Sequence, residues 1–287
     1  MNLVDTLVQG LLLGGLYALF AAGLSLVFGI MRLVNLAHGD LIVLGAYLIL
    51  GIATALGISP VLAAVIALPI MFALGWVLQA GLLNRVLGDD ILPPLLVTFG
   101  LSVVIQNGLL QVFTADSRKL SLGPVEAASL PLGPVHVGVM PLITFASAIG
   151  VILGLNWLFY RTALGRAFRA TSDDAVTAQL MGIRPQRIFA IATGIALVVA
   201  TIAALYLGTR ANFDPSIGPA RLLYAFEAVI IGGLGSLWGT LAGGLVIGVA
   251  QAFGAAITPE WQILAGHMAF VAVLLVRPRG LFPRAND

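Results

Sequence analysis

Six apolar runs, at about 6–30, 39–57, 60–83, 93–113, 139–160 and 186–208, set the terms on which this chain folds. Each comes close to the roughly 20 residues that an α-helix needs to cross a bilayer. Hydrophobic residues make up 60% of the 287 and charged residues only 9%, far from the composition of a water-soluble domain. The chain is therefore read as an all-α polytopic membrane protein whose main solvent is lipid. Pro60, Pro93 and Pro185 stand near span starts, where a missing N–H costs little, and Pro69 lies inside the third span, where it is expected to kink the helix.

Several chemistries drop out early. The chain has no cysteine, so disulfides and thiolate metal sites are excluded. His38, His136 and His267 show no metal-ligand spacing. The single lysine, Lys119, sits in "SRKLS", which is not the glycine-rich phosphate loop of an ATPase. No nucleophile–base pair suggests a membrane enzyme. No secretory signal is visible, because the first basic residue is Arg32 and the first apolar run is too long for one. No segment reads as a separate soluble domain, so residues 1–287 are expected to form one membrane domain.

Arginine placement gives the orientation. Arg161, Arg166, Arg169, Arg184 and Arg187 crowd the segment 161–187, and Arg277, Arg279 and Arg284 mark the C-terminus. Both should be cytoplasmic, with the N-terminus outside. Residues 222–256 and 260–276, taken as two spans, would then leave the C-terminus on the wrong side. A break in "GGLGSLWGTLAGG", 232–244, repairs the parity and gives about 8–9 transmembrane or re-entrant helices. Gly235, Gly239 and Gly243, four residues apart, form a small-residue face for helix packing.

Two further stretches are polar where the chain is otherwise apolar. In "VNLAHGDLIVLGAY", Val34–Tyr47, residues Asn35, His38, Gly39 and Asp40 form either a solvated turn or the start of a discontinuous helix facing a polar pathway. The nearby apolar residues and the second glycine-broken run, with Gly232, Gly233, Gly235 and Ser236, favour the discontinuous helix, since broken segments in corresponding halves point to a transporter's centre. The second stretch, 161–187, is far longer than a connection needs. It reads as one helix over 162–181 with apolar Leu164, Ala167, Phe168, Val176 and Leu180, stopped at Gly182. Such a helix suits a groove on a cytoplasmic partner better than a lipid surface, because the Asp173–Asp174 pair would meet anionic headgroups. Glu227, inside an apolar run, either faces the transport path or pairs with Arg221 or Arg210. Tyr17, Tyr47, Trp76, Trp157, Trp238 and Trp261 are expected as interface anchors or packing residues.

The same residues carry a resemblance. "VNLAHGDLIVLGAY", "TALGRAFRATSDDAVTAQLMGI", "GGLGSLWGTLAGGLVIG" and "RPRGLF" together resemble LivH-type permeases of branched-chain amino-acid ABC importers, in family order along the whole chain. The resemblance implies two inverted halves and a place in the bacterial inner membrane. Its partners would be a second, LivM-like permease, two cytoplasmic ATPase subunits and a periplasmic substrate-binding protein that docks on outer surfaces such as 114–138 and 209–221. No nucleic acid is implied. The chain itself would bind no cofactor, with ATP used by the partners. Gly165, Arg166, Arg169, Asp173, Asp174, Met181 and Gly182 would belong to the coupling helix within 161–185, and Asn35, His38, Gly39, Asp40, Glu227, Gly232, Gly233, Gly235 and Ser236 to the translocation pathway. Gln251 departs from the pattern, where relatives often carry Glu. Urea and short-amide permeases share these motifs. An ion-coupled secondary transporter is the alternative from another class, and would have to rely on Glu227 or the His38–Asp40 neighbourhood.

Overall fold

A computed structural model describes residues 3–88, 90–132 and 135–282; Arg284 lies outside the described residues. The helices in chain order are α1 (Leu3–Met31), α2 (His38–Leu56), α3 (Pro60–Gly81), α4 (Leu92–Phe113), α5 (Val139–Arg161), α6 (Ala163–Asp173), α7 (Ala175–Leu180), α8 (Pro185–Arg210), α9 (Gly218–Gly232), α10 (Leu237–Ile257) and α11 (Trp261–Val276). All six expected spans are present within a few residues. Among the described residues, seven helices are long and apolar enough to cross a membrane; α9 and α11 are shorter. Pro60 and Pro185 open their helices, whereas α3 continues through Pro69.

Between α4 and α5 the chain forms a hairpin that the apolar pattern did not signal. Strand β1 (Ser129–Leu132) pairs antiparallel with β2 (Val135–Gly138). Beside it, Glu126 accepts from the Leu122 amide at 2.5 Å and from Lys119 Nζ at 2.9 Å. These bonds hold the Glu126 carboxyl below the usual carboxylate range.

The helices form two sets of opposite sense. In the first, α1 turns at 32–37 into α2, followed by α3 and α4; in the second, α8 turns at 211–217 into α9, followed by α10 and α11. Packing follows the same relation: α1 lies along α10 as α3 lies along α8, and α1 meets α9 as α2 meets α8. Both long seams are built on glycine. A Cβ on Gly248 would stand 2.3 Å from the backbone N of Gly14, and one on Gly75 would stand 2.8 Å from the Thr193 carbonyl. With lipid outside, helices gain little from apolar burial itself, so such close backbone approach supplies the contact.

Nine arginines (32, 85, 161, 166, 169, 184, 187, 277 and 279) gather at one end of the bundle. Arg118, Lys119 and Arg210 belong toward the other end, and Arg221 lies in the first turn of α9. Running α9, α10 and α11 as three passes brings the described C-terminus back to the basic end, as the parity of the spans required.

The α1–α10 seam sets a test. Gly248→Val should destabilise the purified chain by roughly 1–3 kcal/mol, as an overpacked interior does. Thermal unfolding in detergent measures this, and a midpoint equal to that of wild type would count against the seam.

Candidate functional site

The chain does not pass from α1 to α2 at a surface. After Met31 it reverses at Arg32, a non-glycine residue with φ 52, and climbs back along α1. At the start of α2, His38 Nε2 lies 2.8 Å from the carbonyl oxygen of Phe20. Phe20 stands eleven residues before Met31, so α2 begins about 17 Å up from the basic end of α1. That is close to the middle of a hydrocarbon core, where backbone polar groups need protein partners.

Those partners are the polar residues of the stretch. Asn35 Oδ1 accepts from the Ala37 amide at 3.0 Å, and the Leu36 amide donates to Thr98 Oγ1 at 3.2 Å. A carbonyl only accepts, so the proton between His38 and Phe20 belongs to Nε2. Ser102 Oγ donates to Asp40 Oδ2 at 2.6 Å, and Gln106 donates to Ser102. Asn35, His38 and Asp40 are all buried, and each side chain holds backbone or a neighbouring helix in place.

The start of α9 meets the start of α2 there. A Cβ on Gly39 would fall 2.0 Å from the Gly218 carbonyl, and one on Gly218 would fall 2.0 Å from Asp40 Oδ1. Two helix N-termini, each entered from a broken segment, thus cross with only glycine between them. The topological counterpart of 32–37 is therefore 211–217, not the glycine-rich run that the sequence paired with it. In 211–217, Phe213 is buried edge-on to the Tyr47 ring at 5.0 Å.

The expected break at 232–244 is real but shorter, a turn of residues 233–236 between α9 and α10 at the basic end. Gly233 and Gly235 take φ of 100° and 78°, and Ser236 caps α10 by accepting from the Gly239 amide at 3.1 Å. The tail closes over this turn: the Leu281 and Phe282 amides donate to the Ile231 and Gly232 carbonyls. The 15 residues of α9, about 22 Å, separate Gly232, Gly233, Gly235 and Ser236 from the crossing at Gly39.

Glu227 pairs with neither Arg221 nor Arg210. Its Oε1 lies 2.5 Å from Nδ1 of His267 on α11, and the Tyr224 ring stacks on that imidazole at 6.2 Å. Tyr17 stands 4.9 Å from Tyr224 and donates its hydroxyl to Gln251 Oε1 at 2.6 Å. A neutral Gln251 thus has a defined role as acceptor. Of the aromatic residues expected near the interface, Tyr17 and Tyr47 are buried packing residues, whereas Trp76, Trp157, Trp238 and Trp261 are exposed. Sequence reasoning passed over His267 because its partner lies forty residues away with no shared periodicity.

The basic segment after α5 forms two helices, not one. Asp174 ends α6 and caps α7, its Oδ1 accepting from the Val176 and Thr177 amides at 2.9 and 3.0 Å. Hydrogen bonds from Thr177 hold its carboxyl below the usual range. The apolar set divides accordingly. Phe168 is buried against Phe159 at 5.5 Å, and a Cβ on Gly165 would strike the Leu158 and Phe159 carbonyls at 2.2 Å. Ser172 Oγ donates to the Gly29 carbonyl of α1 at 2.8 Å. Arg169 donates to the Phe159 carbonyl and lies over the Tyr160 ring at 5.4 Å. Arg166 and Asp173 are exposed. On the outward side, Val176, Leu180 and Met181 are 71%, 82% and 80% exposed, and Gly182 ends the segment with φ 85.

Comparison with known proteins fits this arrangement. The permease BraD of the high-affinity branched-chain amino acid transport system of Pseudomonas aeruginosa is 32% identical, over 98% of this chain and 96% of that protein. LivH, the corresponding permease protein of Escherichia coli K12, is 30% identical over 96% and 94%. A solved structure, PsaBC from Streptococcus pneumoniae in complex with Fab, shares the fold with a TM-score of 0.50 at 14% identity, over 96% of this chain and 92% of that one. The family described as "Branched-chain amino acid transport system / permease component" matches residues 6–276, and this chain, a transmembrane transport permease, belongs to it.

Proposed function

We propose that this chain is a permease subunit of an ATP-driven, binding-protein-dependent importer for branched-chain amino acids in the bacterial inner membrane. The basic end faces the cytoplasm and the N-terminus the periplasm. A second, LivM-like permease, two ATPase subunits and a periplasmic binding protein complete the importer. The chain binds no cofactor and catalyses no covalent step; ATP is used by its partners.

One observation carries this reading: the exposed apolar triplet Val176, Leu180 and Met181 on a helix pair whose other side is bolted to the membrane helices. A secondary transporter working alone has no need of such a surface at its cytoplasmic end, whereas a chain driven by a separate ATPase must receive force there. Phe168 and Gly165 seat α6 on the end of α5, and Ser172 ties it to the end of α1. A push on α7 is thereby delivered to α1, and α1 holds the start of α2 through the Phe20–His38 bond. Asn35, His38, Gly39 and Asp40 sit at the centre of that path and act by keeping the broken helix in register. Glu227 does the same for α9 against α11, and Gly232, Gly233, Gly235 and Ser236 form its cytoplasmic hinge.

The substrate class follows from the relatives of nearly full length. Reconstituted with its partner permease, ATPases and binding protein, the chain should take up leucine only when ATP is supplied. Uptake by this chain alone, driven by an ion gradient, would refute the proposal, and uptake of urea in place of leucine would refute the substrate.

Docking through the exposed triplet makes a second expectation. Leu180→Glu with Met181→Glu should abolish co-purification of the ATPases and ATP-dependent uptake while membrane insertion is unchanged. ATPase association at the wild-type level in that variant would remove α7 from the interface.

A further inference from the structure

At the basic end, α1, α5, the α9–α10 turn and the tail enclose a cavity of about 330 Å³. Its walls are Ser25 and Gly29 of α1, Asn156 and Tyr160 of α5, and the first turn of α10 around Trp238, with Phe282 of the tail at one side. Two features of the walls call for an anion.

The first is the N-terminus of α10. Gly235, Ser236, Leu237 and Trp238 all line the cavity, and helical geometry leaves the first amides of a 21-residue helix without intrahelical acceptors. The second is independent of it. Ser25 is 1% exposed, its hydroxyl has no hydrogen-bond partner among the described residues, and it lines the same cavity from α1. A buried hydroxyl left without a partner is costly, and a ligand oxygen at this place would satisfy it. Positive charge is near one wall, where the Arg169 guanidinium lies over the ring of the lining residue Tyr160 at 5.4 Å.

The surroundings identify which anion. Tyr160 and Trp238, both exposed, flank the cavity at the end of the membrane helices, where amphipathic aromatic rings sit at headgroup level. From Tyr160 an exposed apolar strip runs up α5 through Trp157 and Leu153, spaced as one helical face and directed along the membrane depth. A free phosphate has no use for that strip, whereas acyl chains do.

We propose that this cavity binds the phosphate of an anionic phospholipid from the leaflet at the basic end, with its acyl chains along the Leu153–Trp157–Tyr160 face. Basic pockets between membrane helices on the cytoplasmic side are suited to such headgroups. The phosphate would take the Leu237 and Trp238 amides, which the Ser236 cap leaves open, and the Ser25 hydroxyl, with Arg169 balancing its charge.

Native mass spectrometry of the full-length chain in detergent tests this, with phosphatidylglycerol, phosphatidylcholine or sodium phosphate added in turn. One phosphatidylglycerol should be retained at roughly tenfold lower lipid concentration than phosphatidylcholine, because both present the phosphate but only phosphatidylcholine adds a quaternary ammonium that the nearby Arg169 guanidinium repels. The double variant Ser25→Ala with Asn156→Leu, checked for wild-type elution, should retain phosphatidylglycerol only at a severalfold higher lipid concentration, roughly the loss of one hydrogen bond to a charged group. Equal retention of the two lipids by the wild-type chain, which needs no variant, would overturn the proposal. So would unchanged retention of phosphatidylglycerol by a well-folded double variant. If sodium phosphate alone displaces the bound phosphatidylglycerol, the site takes a free anion and the lipid assignment falls.

Discussion

Everything central in this fold depends on a backbone that is broken where there is no water to receive it. Starting α2 about 17 Å above the end of α1 strands the amides of its first turn at a depth where each unpaired N–H costs several kcal/mol. The chain meets that cost at the entry to α2, where Asn35 Oδ1 accepts from the Ala37 amide and Thr98 Oγ1 from the Leu36 amide, while Ser102 of α4 holds the Asp40 side chain and the Phe20 carbonyl accepts a hydrogen bond from the His38 ring. Asp40 adds a carboxylate where the first turns of α2 and α9 converge, the end at which helix dipoles favour negative charge. Polarity in "VNLAHGD" is thus a structural demand of the break before it is anything else.

Because the second set of helices inverts the first, the same demand arises twice and is met differently. On the first side Asp40 ties α2 to α4 through Ser102; on the second, Glu227 ties α9 to α11 through His267. In each set a buried carboxylate joins the helix that begins at the crossing to the last helix of the set; α4 otherwise packs sparsely, whereas α11 also lies along α10. The two carboxylates do not occupy equivalent positions: Asp40 is in the first turn of its helix and Glu227 is in the third. The architecture repeats while its polar fastening does not, as expected if what is retained is a joint between helices and not a particular side-chain geometry.

Much of this was legible in the sequence, and the reasons differ by feature. The spans are marked by composition over twenty residues, and Pro60, Pro185 and Ser236 mark where helices begin because a proline ring and a capping hydroxyl act locally. The apolar set of α6 and α7 reads as one helical face in sequence, because Asp174 looks like a surface charge until its bonds to the Val176 and Thr177 amides show it to be a cap. Depth was the harder quantity. Glycines at 232–244 announce a break but not its height in the bilayer, and they lie at the basic end. The true counterpart of 32–37, "ANFDPSI" at 211–217, looks like any polar outer loop. Its one usable signal was arithmetic: with Gly218 as a start, α9 has only 15 residues before the next break, too few to cross from surface to surface.

Gln251 shows where a family pattern misleads and geometry corrects it. An acid at this position would add a second carboxylate to the chain of side chains that leads through Tyr17 and Tyr224 to His267 and Glu227, and like charges in a desolvated site oppose each other's ionisation. With glutamine, the site has one carboxylate, one imidazole and a neutral amide whose oxygen receives the Tyr17 hydroxyl. Tyr17 in turn packs on Tyr224, and Tyr224 stacks on His267, so the amide is joined through two rings to the fastening of α9 on α11. The departure therefore removes a charge without removing the connection. A residue that accepts a hydrogen bond in either form can be exchanged here, whereas an apolar one would leave the Tyr17 hydroxyl buried and unpaired.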